Sequence, residues 1–179
     1  MVIAAVRTEQ ELEAALCSKV KMVFWLSPNL LTLEKTVSAV HRAGKKIFLH
    51  IDLAEGLGKD KPGLRFAKLA GVDGIISTRV NMIKAAREEG LFTIQRFFIV
   101  DSQSVNTTVE AIKSSKPDMI EVMPGIVTKV IADLKAGLQV PIIAGGLIET
   151  KQEVQEALLN GASAISTGRA QLWGRMERH

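Results

Sequence analysis

Short β-rich runs alternate with helical patterns along the whole of this chain, and that alternation restricts the fold more than any other feature. The runs are Met1–Val6, Met22–Leu26, Lys46–Ile51, Gly74–Ser77, Phe92–Val100, Met119–Met123, Pro141–Gly145 and Ala164–Thr167. Between them the helices announce their ends. Thr8 with Glu11, and Thr150 with Glu153, have the spacing of capping boxes, in which hydroxyl and carboxylate each satisfy an orphan amide. Ser27-Pro28 reads as a serine cap with proline in the first helical turn. Gly44, Gly71, Gly90, Gly137 and Gly161 stand where helices should stop in a left-handed cap. Strands that return to their neighbours through helices pair in parallel.

Eight such units predict an α/β fold, a compact TIM-type (β/α)8 barrel, as a single domain over residues 1–179. Barrels of this kind usually take ~250 residues, so this one requires short helices and tight loops. A faint echo between "GVDGIISTR" and "GASAISTGR" agrees with half-barrel duplication. The longest strand-to-helix connection, 52–63, follows the third strand and reads as a lid or ligand clamp.

Composition excludes several classes. Hydrophobic residues are 47% and charged residues 23%, a globular rather than a disordered balance. No apolar run approaches the ~20 residues of a membrane span, and the N-terminus lacks the charge order of a secretory signal, so the expected location is cytoplasmic, with no membrane partner. The single cysteine, Cys17, allows neither an internal disulfide nor a zinc cluster and reads as a buried helix filler. The net charge of +4 comes from scattered cations, and aromatic residues are only 4% with no tyrosine, which argues against a base-stacking platform. There is no HExxH, no Walker loop and no G-x-S-x-G elbow, so no metal, cofactor or nucleophile motif is expected.

In a barrel the chemistry sits at the C-terminal ends of the strands. Glycines and hydroxyls at the last two ends suit a phosphate, because backbone N–H groups can approach the anion closely. That set is Gly145, Gly146, Ser166, Thr167, Gly168 and Arg169. Glu121 stands inside the apolar sixth strand, either as half of an ion pair with Arg96 or as acceptor for a ligand hydroxyl, less readily as a general base. Asp52 anchors its loop or binds a polyol, with Lys59 supplying the opposite charge from the lid. Strand alternation places Phe48, His50 and Asp52 on one face. His50 reads as a core histidine before a catalyst.

The strings "GIISTR", "IQRFF", "KPDMIEVMPG", "IIAGGLI" and "GASAISTGRAQLW" occur in order. Over about Ile3 to Trp173 the chain resembles the glycerol-uptake operon antiterminator family. The resemblance implies a TIM-type barrel that regulates rather than catalyses. It implies glycerol 3-phosphate and leader mRNA of glycerol-metabolism transcripts as partners, with self-association left open. Phosphate would lie at the last two strand ends, and the polyol toward Asp52, Lys59, Gln95 and Glu121. The chain departs from the family at Gly168-Arg169, which puts its RNA activity in question. The alternative is an isomerase, epimerase or aldolase acting on a phosphorylated small molecule, with Asp52, Lys59 and Glu121 as acid and base.

Overall fold

A computed structural model describes residues 1–174. Its strands β1 (Val2–Val6), β2 (Met22–Trp25), β3 (Lys46–His50), β4 (Gly74–Ser77), β5 (Phe92–Phe98), β6 (Met119–Met123), β7 (Ile142–Gly145) and β8 (Ala164–Thr167) close in chain order into one barrel. Every neighbouring pair is parallel, and Val2 opposite Ile165 with Ala4 opposite Thr167 completes the circle. The expected strands are all present, most of them trimmed by a residue or two at their ends.

The helices are α1 (Glu9–Leu16), α2 (Leu33–Arg42), α3 (Lys61–Leu69), α4 (Val80–Glu88), α5 (Ser102–Ser115), α6 (Thr128–Gly137) and α7 (Lys151–Leu159). Their shortness is what fits a barrel into this chain: α1 has 8 residues and even the longest, α5, has 14. After β8 the described chain makes only one 3-10 turn, Ala170–Leu172. Trp173 then packs against the outer wall, its indole Nε1 donating to the Thr167 carbonyl at 2.8 Å.

The barrel interior is a packed core. Ile3, Phe24, Phe48, Ile76, Ile94, Ile143 and Ala164 fill it, and Phe48 makes edge-on contacts with Phe24 and Phe92. Apolar residues of opposite parity face the helices and build the surrounding layer. This parity decides which side chains can reach the mouth.

Both capping boxes form as expected, at Thr8–Glu11 and Thr150–Glu153. Three local expectations are corrected. Ser27-Pro28 does not start a helix: the Pro28 carbonyl accepts from Glu55 N–H, and Asn29 caps the turn that leads into α2. Cys17 is exposed at the end of α1, because α1 turns its buried face at Ala15. Gly137 is the last residue of α6 without the left-handed backbone found at Gly44, Gly71, Gly90 and Gly161.

Candidate functional site

β5 presents Phe92, Ile94 and Arg96 to the interior, so Arg96 emerges at the top of the barrel beside Glu121 of β6. The Arg96 Nε donates to Glu121 Oε2 at 2.6 Å, and both side chains are almost wholly buried. Ser166 of β8 donates its hydroxyl to the other carboxylate oxygen at 2.5 Å. Glu121 is thus fully engaged. The terminal nitrogens of Arg96 have no hydrogen-bond partner among the described residues, and Arg96 lines an open cavity.

That cavity has a volume of about 300 Å³ and lies over the C-terminal ends of β5 to β8, β1 and β2. Its floor is Arg96, Glu121 and Ser166. One wall is the turn from Gly146 to Glu149, and another runs from Thr167 to Arg169. Arg7, one residue beyond β1, contributes from the third side and has no ion-pair partner among the described residues. Arg169 is paired with Glu149, with both side chains about half exposed. Glu11 reaches the wall but is committed to its capping box, accepting from the N–H of Arg7 at 2.6 Å.

The turn after β7 is unusual. Gly146 and Leu147 both have positive φ, at 76° and 59°. For a leucine that backbone is strained, at a cost of order 1–3 kcal/mol, and Leu147 stays exposed at the cavity edge. The turn brings Gly146 to Glu149 against the cavity.

The expected phosphate residues separate by role. Gly146, Gly168 and Arg169 line the cavity. Gly145 lies beneath it: a Cβ there would fall 2.5 Å from both Glu121 Oε1 and Ser166 Oγ, so the glycine makes room for that hydrogen bond. Ser166 belongs to the floor. Thr167 also lines the cavity, but its hydroxyl donates to the Ile148 carbonyl at 2.7 Å and accepts from Arg169 N–H.

Of the expected polyol residues, only Glu121 lines the cavity. Asp52 falls in a one-turn 3-10 helix, Ile51–Leu53, which ends the strand alternation that would have kept it beside His50. It accepts from Ser77 Oγ at 2.7 Å, from Thr78 N and Oγ1 at 2.7 and 3.0 Å, and from Arg79 Nε at 3.1 Å. Burial pushes its carboxyl up, but these bonds from Thr78, Ser77 and Arg79 prevail and hold it below the usual carboxylate range. It is a loop anchor. Gln95 has the opposite parity to Arg96 and points out to α5, where Ser115 donates to its Oε1. Lys59 is exposed and outside the cavity. The connection that carries it is tied down by the Asn29–Glu55 bridge and by Asp60, which caps α3, so it forms no lid over the site.

His50 is buried and faces inward after Phe48, with Nδ1 unpartnered. Burial lowers its pKa, and the nearby Arg96 charge lowers it further, so it is held neutral as a core histidine. Sequence reasoning missed Arg7 and Arg96 as cavity cations. The signal for Arg7 was present: it continues the inward parity of Ile3 and Ala5 past the end of β1.

The fold and this mouth define a (β/α)8 barrel whose open site is built from strands five to eight and one, with a buried arginine–carboxylate pair as its floor. The chain belongs to the glycerol-3-phosphate responsive antiterminator family, whose model matches residues 2–173. It is similar to the glycerol uptake operon antiterminator regulatory protein of Listeria monocytogenes, at 35% identity and a TM-score of 0.91, covering 96% of this chain and 94% of that one. A glycerol uptake operon antiterminator-related protein from Thermotoga maritima matches at 33% identity and a TM-score of 0.86, over 96% of both chains. An uncharacterized protein of Escherichia coli, YgcP, is 39% identical over 173 residues, 96% of this chain and 91% of its own. A barrel described as an aldolase, 14% identical with a TM-score of 0.74, shares the fold.

Proposed function

We propose that this chain is a transcription antitermination regulator that binds glycerol 3-phosphate in the cavity over β5 to β8 and β1. The observation that carries the reading is Arg96. Its Nε is spent on Glu121 while its remaining donors face a cavity edged by two close main-chain turns. The phosphate lies against Gly146–Ile148 and Gly168, with Arg7 and Arg169 as its cations; charge-assisted bonds from guanidinium are the strong ones for such an anion. The glycerol hydroxyls meet Arg96, Glu121 and Ser166. An ion pair with net charge near zero suits hydroxyls, which both donate and accept, better than a second anionic group.

The regulatory reading is also supported by what the enzyme alternative loses. Asp52 is bonded to its own loop ends, Lys59 is away from the cavity, and Glu121 is held between Arg96 and Ser166. None of these three is a free acid or base facing the cavity. The bound ligand then biases the affinity for leader mRNA, and by linkage the RNA biases the ligand equally. A transcript as partner suits a cytoplasmic protein, and among the described residues no helix is long and apolar enough to cross a membrane.

The test is a thermal-shift series with glycerol 3-phosphate, glycerol and inorganic phosphate. A ligand at a hundred times its Kd stabilises by about 2.7 kcal/mol. Glycerol 3-phosphate should raise Tm most, and Arg96→Met should lose that rise. An equal rise with inorganic phosphate alone would remove the polyol half of the proposal, and no rise with any phosphate would remove all of it.

A further inference from the structure

At the mouth Arg79, Arg96 and Arg169 are matched by Asp52, Glu121 and Glu149, while Arg7, Lys59, Lys129 and Lys151, which have no ion-pair partner among the described residues, stand apart on four separate connections. At the opposite end Lys19, Lys21, Arg42 and Lys46 gather around the starts of β2 and β3. All four are exposed, and none has an ion-pair partner among the described residues. They sit on adjacent loops: Lys46 N–H donates to the Lys21 carbonyl at 2.9 Å, and Met22 is in register with Lys46.

Arg42 lies in the last turn of α2, where the helix dipole favours a cation. Lys19, Lys21 and Lys46 lie beyond the helix ends, and that explanation does not reach them. Their backbone is held firmly. Beneath them the buried Lys45 donates from Nζ to the carbonyls of Ser18 and Val20, both at 2.7 Å. Ser18 donates to the Ala15 carbonyl at 2.7 Å, and Lys19 N–H to Gly174 at 3.2 Å. The carboxylate nearby, Asp73, accepts from Ile47 N–H at 2.8 Å and pairs with His41 at 2.9 Å; the like charges on this fixed frame repel one another, and a polyanion relieves that repulsion as it binds.

We infer that this corner of the N-terminal face, Lys19, Lys21, Arg42 and Lys46, binds the phosphate backbone of single-stranded RNA, at the far end of the barrel from the small-ligand cavity. The identity of the polyanion rests on the antitermination reading above; the location rests on the charge distribution. Neither loop carries an exposed large apolar side chain that could enter a bilayer, which favours a nucleic acid over a lipid surface. Such contacts set affinity and orientation without reading sequence. The arrangement also separates the two partners, so communication between them must pass through the barrel and not through direct contact.

The experiment is fluorescence anisotropy with a labelled leader transcript of a glycerol uptake operon, as a function of salt, with glycerol 3-phosphate present. The pair Lys21→Gln/Lys46→Gln should weaken binding at least tenfold and flatten the slope of log affinity against log salt by about 1.4, near 0.7 per cation lost on a single strand. Its thermal response to glycerol 3-phosphate should be that of the parent, which also shows that the variant folds. The control pair at the other end, Lys129→Gln/Lys151→Gln, should bind as the parent does. RNA affinity that survives in the first pair, or is lost in the control pair alone, overturns the location while leaving the antitermination reading intact. A parent that binds no RNA overturns both. Retention on vesicles of equimolar phosphatidylcholine and phosphatidylserine without RNA binding would assign the corner to membranes and overturn the inference.

Discussion

Gly145 and Glu121 share a space that holds only one of a side chain or a hydrogen bond. A Cβ on Gly145 would lie 2.5 Å from Glu121 Oε1, the oxygen that accepts from Ser166. The glycine of β7 therefore acts through the floor of the cavity. Gly145→Ala should cost about 1–3 kcal/mol, as overpacking does, and should abolish the thermal response to glycerol 3-phosphate. Gly168→Ala is the comparison. Its Cβ would meet the Ala5 carbonyl at an ordinary 3.5 Å, so stability should stay within about 0.5 kcal/mol of the parent. Urea titrations of both variants check the contrast, and equal losses would refute it.

Asp52 locks the C-terminal end of β3 to that of β4 and touches nothing in the cavity. Asp52→Asn should lower stability by about 1–3 kcal/mol, the range for disturbing hydrogen bonds to a buried charged group. Ligand affinity should not change. The pH dependence has a definite sign. The folded carboxyl is held below its unfolded value of about 3.9, so its contribution is complete above that pH and is lost as pH falls through the lower folded value. Acid unfolding of the parent should therefore be shallower after Asp52→Asn. Isothermal titration with glycerol 3-phosphate provides the second measurement, and a large affinity loss would return Asp52 to the polyol site.

The barrel was legible in the chain because most helices declare at least one of their ends and the strands are short and largely apolar. Glu121 was legible too, since a carboxylate between Ile120 and Val122 has to be answered by a partner. What failed was parity. Nothing in "FTIQRFF" says whether Gln95 or Arg96 looks inward; the aromatic contact of Phe92 with Phe48 settles it for Arg96. Asp52 was misplaced because alternation was carried one step past the strand, into a 3-10 turn. The lid was misread because its ties, Asn29 to Glu55 above all, come from a different connection.

His50 adds a titration of the opposite kind. Burial and then the Arg96 charge lower its pKa, so the folded protein resists protonation that the unfolded chain accepts near pH 6.5. The unfolded state binds more protons below that value, and stability must fall as pH drops through it. Between pH 7 and 5 the midpoint of urea unfolding should decline, and His50→Gln should remove part of that decline. A parent whose midpoint is flat over this range would contradict the burial argument.

The Arg96–Glu121 pair allows stability and recognition to be separated. Arg96→Met leaves a buried carboxylate without its cation, and removing one partner of a buried pair costs about 3–5 kcal/mol. Adding Glu121→Gln takes away the stranded charge, and an apolar–neutral pair of similar volume should regain most of that loss. The thermal response to glycerol 3-phosphate should not return, because the free donors of Arg96 are still missing from the cavity. A double variant that is stable and silent, beside a single Glu121→Gln that still responds, would place Arg96 among the groups that touch the ligand. A double variant that regains both stability and response would make the pair a structural strut, and Arg7 with Arg169 would then be the cations left to hold the anion.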